Sequence, residues 1–391
     1  MNCYQRALQL QEETIAHRRF FHTHAEVGLE MPKACDYVTK TLSALELAPR
    51  PCGKGITATL GSGGKTILLR ADMDALPMAE ESGEPFACPT GKQAHTCGHD
   101  LHAAMLLTAA KILKEQEGKL DGTVKFMFQP AEEPLEGARN MIEAGILEDP
   151  KVDAALACHV TSGHAPVGTI LYNDTGTMMH SADGFEITIR GKSGHGAYPQ
   201  MAIDPINIAV HVYLALDAIV NREVSSEKSC VLTFGSIHAG TAYNIIPDIA
   251  TLEGTLRTNH PESRTHMLKR IEEAVCQTAA LYGGTGDIRF FSNNPPLICN
   301  PALTREIVGY LKELEIPNIS TIPGITASAS EDFAAVAERV PGSFLYLSAG
   351  FPNHQGDAPA HNSKVRFNEN VLPIGAGGLA HCALRWLAEH K

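Results

Sequence analysis

The hydrophobic pattern of the first part of the chain alternates between strand-like and helix-like segments. Short apolar runs occur at residues 66–74 (TILLRADMD), 123–130 (TVKFMFQP) and 152–160 (VDAALACHV). The first is a continuous apolar run that ends in acidic residues, and such runs are typical of buried parallel strands. Between the first two, residues 103–118 place apolar side chains at helical spacing, and Asp100 stands where a helix cap is expected. Strands that alternate with helices predict an α/β domain with a largely parallel sheet flanked by helices.

The pattern changes between residues 181 and 292. Residues 183–191 (DGFEITIRG) alternate as a strand and residues 204–220 are helical, and two strands, a helix and a final strand follow. This βαββαβ order is that of a ferredoxin-like α+β unit, which folds as a compact domain. Helix and strand patterns of the first kind resume afterwards. We therefore predict one domain formed by residues 1–180 and 293–391, with residues 181–292 inserted into it.

Composition limits the classes of function. A chain of 391 residues exceeds the size of a single hydrophobic core, which agrees with two domains. Its net charge is -12 and it has no block of lysine or arginine, so a nucleic-acid partner is not expected. The start lacks the pattern of a secretory signal, and no stretch reaches the roughly 18 apolar residues of a membrane span. Ten cysteines lie scattered without a CxxC pair. We predict a cytoplasmic protein with reduced thiols and no membrane partner.

The segment HTCGHDLH, residues 95–102, is the strongest chemical signal in the chain. Its Cys97 and His99 could form a thiol nucleophile with its base, or they could bind a metal ion. Residues two apart in a tight loop seldom align for proton transfer, whereas both can point at one ion. Asp100 and His102 at a helix entrance add further metal-ligating chemistry. The segment therefore favours a metal site.

Metal-capable side chains also stand at the ends of other predicted strands. Each has an ordinary explanation by itself: an acidic pair suits a helix start, and a lone histidine is more often a satisfied core residue. In open α/β sheets, however, functional groups gather at the carboxyl ends of strands. Five separate segments therefore bring such side chains toward one edge, and they predict one metal centre. These side chains are Asp72, Asp74, Cys97, His99, Asp100, Glu132, Glu133, His159 and His361.

Several long motifs resemble those of a known family. HTCGHDLHAAMLL, FQPAEE, ACHV and AHNS occur in this order, together with ILLRADMDALPM, GKSGHGAYP and SEDF. They resemble the M20 metallopeptidases, in particular the amidohydrolases that cleave hippurate, N-acyl amino acids and auxin–amino acid conjugates. The resemblance covers nearly the whole chain. It implies a zinc-exopeptidase-like fold in which residues 1–180 and 293–391 form the catalytic domain and the inserted domain serves as lid and homodimer surface.

The resemblance also implies an activity and the residues that carry it. The activity is hydrolysis of the amide bond of N-acyl amino acids by a metal-activated water, with two divalent ions (zinc, manganese, nickel or cobalt) per subunit. The implied metal ligands are Cys97, His99, Glu133, His159 and His361. Glu132 matches the general base, Asp74 the acid that orients a ligand, and His195 a histidine that reaches the reacting carbonyl across a dimer interface. Asn244 and Arg257 match substrate-contacting residues, with Arg257 suited to a free carboxylate.

Three alternatives remain open at this point. The first is another scissile bond, as in a dipeptidase or carboxypeptidase of the same family. The second is a cysteine-dependent hydrolase that uses Cys97. The third is an inactive metallopeptidase-like binding protein, against which the complete ligand set and Glu132 argue, because function belongs to the site and not to the fold.

Overall fold

The protein is described by a computed structural model that covers residues 1–163, 165–317, 319–351 and 358–391. Its helices are α1 (Cys3–Gln9), α2 (Gln11–Thr23), α3 (Pro32–Ala44), α4 (His99–Lys114), α5 (Gly137–Glu143), α6 (Pro205–Glu223), α7 (Pro261–Leu281), α8 (Pro301–Glu313), α9 (Ala334–Ala337) and α10 (Leu372–Glu389). Its strands are β1 (Arg50–Cys52), β2 (Gly55–Gly61), β3 (Lys65–Asp72), β4 (Gly122–Gln129), β5 (Ala154–Thr161), β6 (Ile170–Tyr172), β7 (Thr177–Met179), β8 (Ala182–Arg190), β9 (Gly194–His195), β10 (Cys230–Ala239), β11 (Ile245–Ile246), β12 (Ile249–Thr258), β13 (Thr285–Asn294), β14 (Leu297–Ile298), β15 (Thr321–Ile322) and β16 (Gly342–Ser348).

The chain divides into two compact units. The first unit consists of Met1–Met178, Ile298–Thr326 and Asp332–Lys391. Its sheet has the strand order β1-β2-β4-β3-β5-β16-β6-β15. The central strands β4, β3, β5 and β16 pair in parallel, whereas β2 and β6 pair antiparallel to their inner neighbours. The mixed, largely parallel sheet expected from the sequence is thereby confirmed. Because the central strands are parallel, their carboxyl ends lie at one edge.

Burial on both faces explains why the central strands read as continuous apolar runs. The adjacent residues Leu68 and Leu69 of β3 point to opposite faces of the sheet and are both fully buried. Helices α4 and α10 pack against each other and against β3. Helix α4 is buried around nearly its whole circumference, which leaves its first turn inside the protein, next to the strand ends.

The C-terminal segment differs from the sequence expectation in one respect. Glu369–Glu389, which includes α10, is long and apolar enough to cross a membrane by length and composition, whereas we expected no such segment. In the fold, however, 72% of its most apolar window is buried inside the protein. It packs on α1, α4 and α8 and therefore belongs to the core of the first unit.

The second unit consists of Met179–Leu297 and Ala327–Glu331; the sequence pattern places the inserted domain at 181–292. Its four-stranded sheet has the order β10-β12-β8-β13 and is antiparallel throughout. With α6 and α7 this is the ferredoxin-like arrangement. Alternate residues of β8, Phe185, Ile187 and Ile189, are fully buried in a cluster with residues of the two helices. The opposite face of the sheet carries the intervening, more polar positions.

Candidate metal centre

The entry into α4 brings Cys97 and His99 to the carboxyl ends of the central strands. The helix begins at His99, four residues before the expected start, and Gly98 is its N-terminal flanking residue with φ of 93°. A side chain at Gly98 would place its Cβ 2.3 Å from Cγ2 of Val160. Only glycine therefore allows both this left-handed turn and the close approach of the helix start to β5.

Asp100 does not cap the helix. A cap was one of two expectations for this residue, the other being a group that supports the metal site, and no side chain in the described part of the chain caps α4. Its carboxylate instead accepts hydrogen bonds from Nε of Arg18 at 3.0 Å and from Nδ1 of His22 at 2.8 Å. Arg18, His22 and Asp100 are all buried. This cluster ties α2 to the first turn of α4.

Asp74 fixes the backbone that carries the two adjacent acids. Its carboxylate oxygens accept the backbone N–H groups of Glu132 at 2.9 Å and Glu133 at 3.0 Å. The same carboxylate lies 3.4 Å from Nδ1 of His99. Ala131, which leads into the acidic pair, has φ of 52°, a left-handed value that is uncommon outside glycine. The turn after β4 is thus held in an unusual conformation that places both acids beside His99.

Five groups of potential ligand atoms occur among the described residues, and two of them share Cys97. In the first group the ligand atoms of Cys97, His99 and His159 lie within 4.8 Å of one another, and in the second those of Cys97, Glu133 and His361 do so. The Cys97 Sγ atom is 3.5 Å from Nε2 of His159, and Oε1 of Glu133 is 3.4 Å from Nε2 of His361. The structure therefore brings together all five expected ligands, with the sulfur between the two groups.

Glu132 lies close to both groups. Its Oε2 atom is 3.8 Å from Nε2 of His99, and Oε1 of Glu133 is 3.9 Å from the same nitrogen. Potential ligand atoms of Glu132, Glu133 and His99 also lie within 4.8 Å of one another. Distance alone therefore does not show whether Glu132 acts as a base or as a metal ligand.

The imidazole of His159 is oriented as a metal ligand. Its Nδ1 atom lies 2.5 Å from the backbone carbonyl of Val160, which can only accept, so Nδ1 carries the proton. The lone pair of Nε2 is then directed away from that carbonyl and toward Cys97. Burial lowers the pKa of His159 well below its ordinary value, which keeps the ring in the neutral form that binds metal.

The site contains buried polar atoms that make no hydrogen bond in the described part of the chain, although two of them lie 3.4 Å from a possible ion-pair partner. Both ring nitrogens of the fully buried His99 and Oε1 of Glu133 have no hydrogen bond within the described residues. Such orphaned atoms are destabilising unless something satisfies them. Imidazole nitrogen, thiolate sulfur and carboxylate oxygen together are donors that suit divalent transition metals. The residues present therefore fit a divalent metal.

The environment of Cys97 disfavours a thiol nucleophile. Burial raises the pKa of the Cys97 thiol to about 12, although the neighbouring His99 acts in the opposite direction. Reactive cysteines instead have lowered pKa values, because the thiolate is the nucleophile. A bound metal ion would deprotonate such a thiol outright.

A buried network lies next to the potential ligands, and its hydrogen bonds were not predicted from the sequence. His102 lies with Nδ1 2.5 Å from Oδ1 of Asp72, and its Nε2 accepts the backbone N–H of Val160 at 2.8 Å. Its ring centroid is 4.4 Å from that of His159. Arg70 donates to Asp72 at 2.7 Å and to Asp332 at 3.0 Å. These side chains are buried and link the segments that carry the potential ligands: the end of β3, the start of α4 and the end of β5.

The remaining expected residues lie in the second unit. His195 in β9 pairs with Ile245 in β11, and the carbonyl of Asn244 accepts the backbone N–H of Gly196, so His195 and Asn244 are neighbours. The Nδ1 atom of His195 accepts the N–H of Ala197 at 3.1 Å. Arg257 in β12 donates to Oγ of Ser330 at 2.6 Å.

Comparison with known proteins identifies the family. The sequence model of peptidase family M20/M25/M40 matches residues 68–385. An N-acetyl-L-cysteine deacetylase of Bacillus subtilis is 34% identical over 386 residues, which cover 98% of this chain and 90% of the relative. Thermostable carboxypeptidase 2 of Saccharolobus solfataricus is 34% identical over 385 residues, 96% of this chain and 95% of the relative.

A solved structure extends the likeness to the whole fold. The YXEP protein of Bacillus subtilis, described as a dinuclear metal-binding peptidase of the M20 family, superposes with a TM-score of 0.83 at 29% identity, covering 98% of this chain and 99% of its own. The family match spans most of the chain, and the expected ligands converge at one sheet edge. This chain therefore belongs to peptidase family M20/M25/M40, within its amidohydrolase branch, and is a metal-dependent amide hydrolase.

Proposed function

We propose that this protein hydrolyses the amide bond of N-acyl amino acids with a dinuclear metal centre and Glu132 as general base. The main support for the proposal is that Cys97 belongs to two groups of three potential ligand residues. Glu132 lies close to both groups. The 34% identity to an N-acetyl-L-cysteine deacetylase supports the N-acyl amino acid class.

Two divalent ions fit the two groups of ligand atoms. Cys97, His99 and His159 would hold one ion, and Cys97, Glu133 and His361 would hold the other. When bound, such a pair supplies Lewis-acid polarisation of the amide carbonyl and lowers the pKa of a coordinated water toward neutrality. Thiolate and imidazole suit zinc, nickel or cobalt, and the carboxylate of Glu133 also admits manganese.

In the proposed mechanism, Glu132 moves the proton during hydrolysis. Its backbone N–H and that of Glu133 are both fixed by Asp74, so the two neighbouring carboxylates are held in different places. Glu133 completes the second ligand group with Cys97 and His361. Glu132 then remains to accept the proton of the attacking water and to return it to the leaving nitrogen.

His195 is suited to donate a hydrogen bond to the oxyanion. Because its Nδ1 accepts the N–H of Ala197, the proton of the neutral ring resides on Nε2. The side chain is exposed and so leaves Nε2–H free to reach a substrate carbonyl. A donor directed at the developing negative charge typically contributes 10²–10³-fold to the rate, or roughly 3–4 kcal/mol.

Arg257 would bind the carboxylate of the released amino acid, with Asn244 as a second substrate contact. The guanidinium is partly buried, and in the described part of the chain its polar contact is the Ser330 hydroxyl rather than a carboxylate. Asp183 is close enough to interact electrostatically with Arg257. Its two carboxylate oxygens, however, accept hydrogen bonds from Arg264 at 2.7 and 2.8 Å. A partly desolvated cation of this kind suits an anionic group of the substrate.

A homodimer through the second unit agrees with the exposed surface of that unit. Strand β10 is an edge strand, and its Val231 and Ile237 are 50% and 51% exposed. Helix α6 adds exposed Val210 and Leu214. Unpaired edges and contiguous apolar patches are typical of interaction sites. We infer that a second copy of the chain covers this surface.

Turnover of defined substrates by reconstituted enzyme tests the proposal. Metal-free protein is loaded with zinc, manganese, nickel or cobalt in turn and assayed with hippurate, N-acetyl amino acids, dipeptides and longer peptides. We expect the N-acyl amino acids to have the highest kcat/KM. A preference for C-terminal cleavage of peptides would instead favour the carboxypeptidase function that the Saccharolobus solfataricus relative suggests. Activity of metal-free protein that alkylation abolishes would favour a cysteine-dependent hydrolase.

Two variants test the residues. We expect Glu132→Gln to retain bound metal and lose nearly all turnover, whereas the exposed Glu136→Gln in the same loop behaves like wild type. A mixture of Glu132→Gln with His195→Ala subunits should regain activity after subunit exchange, because one site of the heterodimer has both groups if His195 acts across the interface. Absence of rescue in verified heterodimers would contradict that role.

A further inference from the structure

The side chains of His180 and Arg257 in the second unit both form hydrogen bonds with the same short segment, Ala327–Glu331. The His180 side chain donates to the backbone carbonyl of Ser328, and its backbone N–H donates to the carbonyl of Ala329 at 2.9 Å. Arg257 donates to the hydroxyl of Ser330 at 2.6 Å. Ser328 and Ser330 are two residues apart, so their Cα atoms are separated by at most about 7 Å. His180 and Arg257 therefore converge on one small region.

The strand register agrees with this proximity. Leu256 of β12 lies opposite Asp183 of β8, and the pairing continues to Ser181, whose backbone N–H donates to Thr258 at 2.7 Å. Arg257 is thus on the stretch of β12 directly beside the residues that follow His180. Burial is the main cause that lowers the pKa of His180, and the positive charge of Arg257 also lowers it.

One atom of His180 is left without a partner. The side chain is only 7% exposed, and Nε2 makes no hydrogen bond to any of the described residues. The bond to the Ser328 carbonyl is therefore made by Nδ1, which must carry the proton. In the neutral ring Nε2 is then an acceptor. An unpaired acceptor in a buried position is unfavourable, and each such group in a native structure calls for an explanation.

We propose that Nε2 of His180 accepts a hydrogen bond from the side chain of the substrate's amino acid, so that the enzyme prefers N-acyl amino acids with a donor close to the carboxylate. This inference rests on the proposed hydrolysis of N-acyl amino acids and on Arg257 as the carboxylate site. The side chain of such a substrate branches from the same carbon as its carboxylate. A carboxylate on Arg257 therefore brings that side chain into the region where His180 lies.

The substrates that follow from this chemistry carry a hydroxyl, thiol or amide on the first atoms of the side chain. A site built to hydrogen-bond such a group discriminates strongly against an analogue that lacks it, because the site's own polar atom then stays unpaired. A purely apolar pocket would separate the same two substrates much less. Isosteric pairs of substrates therefore provide a direct test.

The experiment compares kcat/KM for two such pairs with the metal-loaded enzyme. The pairs are N-acetyl-L-threonine with N-acetyl-L-valine, and N-acetyl-L-serine with N-acetyl-L-2-aminobutyrate, in which a methyl group replaces the hydroxyl. We expect the hydroxyl substrate to be favoured at least about tenfold in both pairs, which is the effect of one unsatisfied buried acceptor. Equal kcat/KM values within either pair would overturn the inference.

Substitution of His180 assigns the preference to this residue. In His180→Asn the side-chain amide can still donate to the Ser328 carbonyl, but the distal acceptor is gone, so the preference should fall below about twofold. His180→Leu repeats the test with an apolar side chain should the asparagine variant fold poorly. His266→Asn changes an exposed histidine of the same unit that contacts Glu223, and it should keep the wild-type preference. Retention of the preference in either His180 variant would refute the proposal.

The outcomes separate this inference from the proposed function. Release of amino acid from all four substrates without preference for the hydroxyl contradicts only the role of His180. Failure of the wild-type enzyme to release amino acid from any of the four, with each of the metals, contradicts both.

Discussion

The backbone N–H of Val160 donates a hydrogen bond to Nε2 of His102 at 2.8 Å. Since Val160 follows His159 in β5, this bond holds the strand end that carries a potential metal ligand. It also places the proton of His102 on Nδ1, facing Asp72. His102 thus links the end of β3 to the end of β5 and packs against the ring of His159.

We expect His102→Ala to weaken metal binding without removing any of the five potential ligands. Loss of such supporting hydrogen bonds typically lowers metal affinity or activity 10–100-fold. Titration of metal-free protein with zinc, followed by kcat and KM measurements, checks this. His17→Ala is the matched control, because His17 is a buried histidine of α2 that bonds to Tyr37 at 2.8 Å. Equal metal affinity of the two variants would show that His102 has no special role.

Asp74→Asn should impair turnover more than folding. The asparagine amide can accept only one of the two backbone N–H groups that Asp74 now accepts, and its NH₂ group opposes the other. The acidic pair would then shift, and a misplacement of about 1 Å can reduce the rate 10²-fold. Measurements of kcat, metal content and thermal midpoint separate these effects. A rate within twofold of wild type would contradict the positioning role of Asp74.

Gly98→Ala should reduce both stability and metal content. The added Cβ would lie 2.3 Å from Cγ2 of Val160, at a residue with φ of +93°. Gly145 has a similar φ of +87° but nothing within 4 Å of an added Cβ, so Gly145→Ala isolates the backbone strain, about 1–2 kcal/mol. Chemical denaturation of both variants gives the comparison. A larger loss in Gly145→Ala would disprove the steric explanation.

Stability should fall with rising pH through the titration of His22. Burial disfavours the charged ring, but Asp100 and Glu80 raise the pKa of His22 to about 9. A group with a raised pKa in the folded state contributes fully below its unfolded pKa of about 6.5. This contribution, up to about 3 kcal/mol, is lost as pH rises to 9 and beyond.

Metal-free protein is the right sample for that measurement, since metal binding has its own pH dependence. We expect the unfolding free energy of wild type to decrease between pH 6.5 and 9.5, and that of His22→Gln to change much less. Parallel curves for the two proteins would show that His22 is not protonated in the folded state.

Sequence patterns predicted the central strands because both of their faces are covered. The runs around Leu68, Phe126 and Leu156 are apolar at successive positions and fully or almost fully buried, so β3, β4 and β5 were recognisable. The edge strand β15 and its neighbour β6 have two and three residues and carry no comparable signal. Short edge strands are defined by pairing with a neighbour, which periodicity does not reveal.

The partners of Asp100 show why parts of the site escaped prediction. An aspartate at a helix start is typical of a cap, and nothing local distinguishes it from one. Its actual partners Arg18 and His22 lie 82 and 78 residues away. The network of His102, Asp72 and Arg70 is equally non-local: the sequence indicated Asp72 and His102 as metal-capable residues, but it did not reveal their bonds to each other, to Arg70 and to Val160. The convergence of the potential ligands could be predicted because each ends or follows a recognisable strand or lies at the start of a recognisable helix.

The order of the ligands along the chain bears on how the centre is assembled during synthesis. Cys97, His99 and His159 all precede the second unit, so the first ligand group is complete before that unit has been translated. His361 belongs to the last stretch of the first unit, beyond the insertion. Under the proposed assignment, the ligands of one ion are therefore synthesised well before the last ligand of the other. Helix α10 and strand β16, which pack on α4 and β5, also come after the insertion, so the complete centre requires the C-terminal stretch to fold onto the N-terminal one.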